Sequence, residues 1–151
     1  MIEETTLRGW KPEEIPEQEK NEKRKRLEQQ VMETIAQLNQ ARRPVLLAGN
    51  GIRLSEGREE FEKLVEILQI PVLTTWNGID LIEEEHPLFF GRPGGMGQRY
   101  ANFVQQNSDF FLSIGARMNL LQTGYNFDGF ARAAYKVMVD IDENELHKIN
   151  V

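Results

Sequence analysis

The side chains able to do chemistry lie in short clusters, each close behind a run of apolar residues. Gly91-Arg92-Pro93-Gly94-Gly95-Met96-Gly97 places four glycines in seven residues ahead of a helical segment. Backbone N–H groups and a helix amino end there could face a phosphate. Arg92 and Arg99 flank this loop, and Arg117 lies farther on, beside Gly115 and Ala116. The same composition also serves a tight passage between two elements, and both readings stand at this point. Gly49-Asn50-Gly51 opens like G-x-G-x-x-G, but Leu54 occupies the third glycine position. A nicotinamide-binding domain would close its next strand with Asp or Glu for the ribose hydroxyls, whereas here that strand ends Thr74-Thr75-Trp76-Asn77. No glycine loop runs into Lys-Ser or Lys-Thr, so a Walker-type phosphate site is absent.

Covalent and metal chemistry are poorly supplied. There are no cysteines, which excludes thiol catalysis, zinc on thiolates and a disulfide framework. His86 precedes Pro87 in a connection, and His147 lies in a final helical segment; both read as surface or capping residues. Glu83-Glu84-Glu85 are adjacent carboxylates on the same connection and read as solvated. No Ser/His/Asp set stands out. The sequence offers a binding edge and no catalytic centre.

Several elements must position that edge. Leu27, Val31, Ile35 and Leu38 recur at helical spacing and predict an amphipathic helix from about Glu19 to Ala41. Its basic run Lys23–Arg26 is offset by Glu19, Glu22 and Glu28 and reads as a solvated face. Pro44 opens the strand Val45–Ala48, and Phe61, Leu64, Val65 and Leu68 mark a helix within Gly57–Gln69. Pro71 opens the strand Val72–Thr75. Strand, glycine turn, helix and strand make a βαβ unit with parallel strands. A helix over Gln98–Gln106 and strands at Asp109–Gly115 and Tyr135–Asp142 complete the pattern. The strands end in Gly, Thr or Asp, which gathers polar groups at one carboxyl edge of a parallel sheet, where doubly wound folds bind ligands.

At 151 residues and 28% charged, the chain has the composition of one globular domain. The formal charge of −6 argues against nucleic acid or an anionic membrane as partner. Residues 1–26 carry seven basic and seven acidic side chains, so the excess lies downstream. There is neither a signal-peptide pattern nor an apolar stretch of membrane-spanning length, and a cytoplasmic origin is expected. Pro12 and Pro16 among mixed charges predict an extended linker over residues 1–20, in which Trp10 needs something to pack against.

The run Arg43-Pro44-Val45-Leu46-Leu47-Ala48-Gly49-Asn50-Gly51-Ile52-Arg53-Leu54-Ser55 resembles the opening of the central domain of acetolactate synthase and its thiamine-diphosphate-dependent relatives. The likeness continues in order through Ile70–Gly78, His86–Gly91 and the glycine loop, Ser113–Arg117 and Val139–Asp142. This resemblance implies a Rossmann-like, three-layer α/β sandwich with a parallel sheet of about six strands. It implies one central domain over 21–151, with residues 1–20 the linker from an upstream domain, which also accounts for Trp10.

In such enzymes, lyases or transferases acting on 2-keto acids, the outer domains hold thiamine diphosphate and Mg²⁺. The G-D-G…N motif of the last domain is absent here, so this chain alone should be inactive. Its partners would be those domains of the same chain, in a homo-oligomer. Relatives hold FAD or ADP in the central domain, or leave it empty. By that resemblance a nucleotide would meet Gly49, Asn50, Gly51, Thr74, Thr75, Gly94, Gly95, Met96, Gly97, Gly115, Ala116, Arg117, Asp140 and Asp142. The FAD-binding pattern G-A-R-F-D-D-R reads Gly115-Ala116-Arg117-Met118-Asn119-Leu120-Leu121 here, and G-M-H-G reads Gly94-Gly95-Met96-Gly97. Both acids, the second arginine and the histidine are lost, which counts against FAD. The alternative is a structural module that joins the catalytic domains and keeps a vestigial pocket. A free-standing NAD-binding domain of the deacetylase type would need a catalytic histidine and, commonly, zinc cysteines, and is set aside.

Overall fold

A computed structural model describes residues 16–147. Trp10 and most of the expected linker lie outside them. The chain divides into two compact units after Ile35. The first contains most of helix α1 (Glu17–Gln40), which begins inside the stretch expected to be linker. Ion pairs Lys20–Glu17, Lys23–Glu19 and Arg24–Glu28 cover its polar face, as the charge pattern predicts. Leu27, Val31 and Ile35 remain exposed along the opposite stripe.

The second unit begins with the last turn of α1 and contains the sheet. Its strands are β1 (Pro44–Ala48), β2 (Val72–Thr74), β3 (Phe110–Ile114) and β4 (Tyr135–Val139), in the order β2-β1-β3-β4. Every pairing is parallel. Four strands, not about six, form the sheet among the described residues. The helices are α2 (Gly51–Leu54), α3 (Arg58–Leu68), α4 (Arg99–Gln106), α5 (Leu120–Thr123) and α6 (Glu143–His147).

The short apolar runs are explained by burial on both faces, as parallel sheets require. Leu46, Ala48, Val72, Phe110 and Leu112 face a core layer with Phe61 and Val65 of α3, against which Leu38 also packs. Val45, Leu47, Leu73 and Phe111 face a second layer with Ala101 of α4, Met118 and Phe130. Successive residues therefore alternate between layers, and the result is a helix–sheet–helix sandwich. Within the second layer Gln122 donates from Nε2 to Gln105 Oε1 at 3.1 Å, so two buried amides satisfy each other.

Asp109 ties the strand entries together. Its carboxylate accepts the Arg43 N–H at 2.7 Å and the Arg42 N–H at 3.0 Å, and its carbonyl accepts the Tyr135 N–H at 2.9 Å. Burial pushes the carboxyl pKa up, but the amides of Arg43 and Arg42 and the Arg43 charge outweigh it and hold it below the usual range. A carboxyl depressed in the folded state stabilises fully above its unfolded pKa and loses that contribution as pH falls through the folded value. Asp109→Asn is therefore expected to cost about 1 kcal/mol at neutral pH. Urea melts should show the gap between wild type and variant closing on acidification below the ordinary carboxylate range.

Candidate functional site

Because all four strands are parallel, the loops that follow them meet at one edge and enclose a cleft of about 1450 Å³. The chain leaves β1 toward β2 on one side and continues through β3 to β4 on the other. The cleft thus lies where the strand order reverses, above the meeting of the loops after β1 and β3.

Backbone alone forms the floor of that crevice. Gly49 donates its N–H to Ile114 O and Gly51 donates to Gly115 O, both at 2.9 Å. A Cβ on Gly51 would lie 2.7 Å from the Gly115 Cα, and one on Gly49 would lie 2.5 Å from the Ala116 nitrogen. Gly115 itself has φ +59°. Gly97 is equally confined, since a Cβ there would meet Pro93 backbone at 2.5 Å. Here the glycines allow two stretches of this chain to touch.

Eleven of the fourteen candidate residues reach the cleft wall: Asn50, Gly51, Thr75, Gly94, Met96, Gly97, Gly115, Ala116, Arg117, Asp140 and Asp142. Gly49, Thr74 and Gly95 do not. Gly49 is pressed beneath the floor, Thr74 is wholly buried as the last residue of β2, and Gly95 is bonded through its amide to Leu121 O. The wall also contains Leu54, Trp76, Leu121, Ile141 and Glu145. Trp76 and Ile141 stand directly behind strands, where an exposed apolar residue is a readable sign of a binding edge. Nothing in the sequence marks Glu145, whose partner lies 28 residues away.

The glycine loop behaves as the tight passage. Arg92 N–H donates to Gln98 Oε1 at 2.6 Å, and Gly94 N–H donates to Asn102 Oδ1 at 2.9 Å. Gly95, Gly97 and Gln98 donate to Leu121 O, Gly94 O and Arg92 O. These amides are already engaged. Asp140 and Asp142 also have local duties: Asp140 Oδ1 accepts the Asp142 N–H, and Asp142 Oδ1 accepts from Asn144 at the start of α6.

Arg117 follows Gly115 in a left-handed stretch, with φ +57° and then +36° at Met118. That turn buries Met118 in the second core layer while Arg117 stays exposed over the cleft. Its Nε donates to Glu145 Oε1 at 3.0 Å. Strain in non-glycine residues at a cleft costs on the order of 1 kcal/mol each and persists only where surrounding structure enforces it.

One polar atom in the wall points the other way: Asn50 Oδ1 is buried and accepts no hydrogen bond among the described residues. The site thus presents a buried acceptor among apolar residues and carboxylates, while most amides of the glycine loop are bonded within the chain. The buried acceptor suits a hydroxyl or amine of a nucleoside, whereas the engaged amides leave the glycine loop without a full phosphate cradle. For thiamine diphosphate and Mg²⁺ there is no donor set: among the described residues no three His, Cys, Asp or Glu side chains gather to hold a metal. His86 accepts the Leu88 N–H on Nδ1, a turn-capping role, and His147 lies on α6 near Glu143.

Comparison with known proteins agrees with this architecture. The family described as "Thiamine pyrophosphate enzyme, central domain" matches residues 31–151. A probable acetolactate synthase large subunit of Methanococcus aeolicus is 42% identical over 123 residues, 81% of this chain and 20% of that protein. Acetolactate synthase large subunits of Cyanidium caldarium and Corynebacterium glutamicum are 37% and 34% identical, over 74% and 80% of this chain and 19% of each relative. The chain spans about a fifth of the length of the curated relatives it matches. With its parallel sheet and edge cleft, it belongs to the central-domain family of thiamine pyrophosphate enzymes.

Proposed function

We propose that this chain serves as the non-catalytic middle domain, over about residues 21–151, of a thiamine-diphosphate-dependent enzyme acting on a 2-keto acid, and that its cleft holds a nucleotide such as ADP or FAD by the nucleoside part. Other domains of the same protein would hold thiamine diphosphate and Mg²⁺, residues 1–20 would lead in from one of them, and the whole would be a cytoplasmic homo-oligomeric lyase or transferase. The names of the relatives support the acetolactate-synthase type of chemistry. The observation that carries the nucleotide is the buried, unpartnered Asn50 Oδ1 in the wall of a large cleft at the carboxyl edge. A buried acceptor without a donor is costly, and a ligand hydroxyl or amino group would relieve it.

A specific observation favours the second reading, a structural module with a vestigial pocket. Gly49, Gly51, Gly94 and Gly97 are accounted for by close backbone contacts within the chain. Titration of the chain with FAD, ADP and CoA separates the two. A ligand at about a hundred times its Kd adds about 2.7 kcal/mol to stability and raises Tm by several degrees. Unchanged Tm and no binding heat at millimolar concentrations of all three would leave the structural module.

A further inference from the structure

We infer that Glu145 sets the class of ligand this cleft accepts: by holding Arg117, it makes the site one for a nucleoside, to whose binding a phosphate chain contributes nothing. The inference rests on the nucleotide reading of the cleft and deepens it.

Arg117 is the one cationic side chain in the described walls, set against the carboxylates of Glu60, Asp140, Asp142 and Glu145. Its side chain is 72% exposed, but the Glu145 side chain that accepts from it is only 13% exposed. The carboxylate is thus fixed in the wall, and the arginine comes to it. In that arrangement Glu145 occupies the position on Arg117 that a phosphate oxygen would take, with the same charge-assisted hydrogen bond. An incoming diphosphate must displace a carboxylate already in place and then sit beside it, together with three more negative charges. Like-charge juxtaposition of this kind is a means of rejecting a ligand.

The amides of Arg92, Gly94, Gly95, Gly97 and Gln98 are bonded within the chain, and Arg92 faces Glu84 and the Phe89 ring. What remains suits an uncharged, flat, hydrogen-bonding ligand. Asn50 Oδ1 offers an acceptor to a hydroxyl or exocyclic amine, and the exposed Trp76 ring offers a stacking face.

The test is calorimetric titration of wild type and Glu145→Gln with adenosine, ADP and inorganic pyrophosphate. Wild type should bind adenosine at least as tightly as ADP, and pyrophosphate not measurably. Glu145→Gln frees Arg117 and should tighten ADP and pyrophosphate by about tenfold with adenosine unchanged. Adding Arg117→Gln to that variant should abolish the gain. Because Arg117 is largely exposed and glutamine keeps the size of Glu145, far-ultraviolet circular dichroism should show both variants folded. Wild type binding ADP about tenfold more tightly than adenosine would overturn the inference, as would Glu145→Gln leaving both phosphate ligands unchanged. If adenosine binds neither protein the nucleotide reading falls, and Glu145 is then judged on the pyrophosphate comparison alone.

Discussion

Gly49→Ala is expected to destabilise the fold by on the order of 3 kcal/mol or more, while Gly95→Ala changes stability by less than about 0.5 kcal/mol. Both positions belong to the same candidate set, and both are glycines in loops at the carboxyl edge. They differ in what surrounds them. A methyl on Gly49 would fall on the Gly115 carbonyl and on the Ala116 backbone, neither of which can move without parting the ends of β1 and β3. A methyl on Gly95 would meet only the Leu121 carbonyl, at 3.7 Å, an ordinary contact. Native domains retain only about 5–15 kcal/mol of stability, so the first substitution removes a large share of it. Urea denaturation of the two variants would check this, and equal midpoints would refute the reading of Gly49 as a backbone-contact glycine.

Phe111→Ala is expected to cost about 4 kcal/mol, with Phe111→Leu recovering much of it. Phe111 is 1% exposed at the second position of β3 and meets the Phe130 ring edge-on, centroids 5.3 Å apart and planes 88° apart. Truncation leaves a cavity between the sheet and the loop carrying Phe130 and Ala131. It also removes an aromatic pair worth about 1 kcal/mol beyond its buried area. Leucine refills most of the volume and restores none of the ring geometry. The same truncation at Phe130 should cost less when Phe111 is already alanine, since contacting residues do not add. Thermal melts of the single and double variants would measure that coupling.

The sequence made the sheet legible because local signals and tertiary demands coincide there. Pro44 and Pro71 punctuate short apolar runs, and a run buried on both faces carries no alternation to mistake. The helix of α3 was equally readable, since Phe61 and Val65 share its buried face. Legibility stopped at two kinds of feature. Short elements such as α2 and α5, four residues each, have too few positions for a period to emerge. Contacts distant in sequence leave no local mark: Gly94 with Asn102, Gln105 with Gln122, and Arg117 with Glu145. The sequence therefore marked the edge at which the cleft lies, whereas the engagement of its amides was not readable. The glycine loop shows why. Its composition suits a phosphate cradle and a tight passage alike, and only the acceptors that its amides find distinguish them.

The floor of bare backbone where Gly49 and Gly51 meet Gly115 has a consequence for how such a domain can diversify. It offers mutation no side chain to exchange, so variation there is closed to it without loss of the fold. The walls are a different matter. Trp76 and Met96 come from the connection between β2 and α4, Leu121 from α5 and Ile141 from the turn after β4, and all four are exposed. A lineage could thus retune what the cleft accepts one loop at a time, while the platform beneath is inherited unchanged.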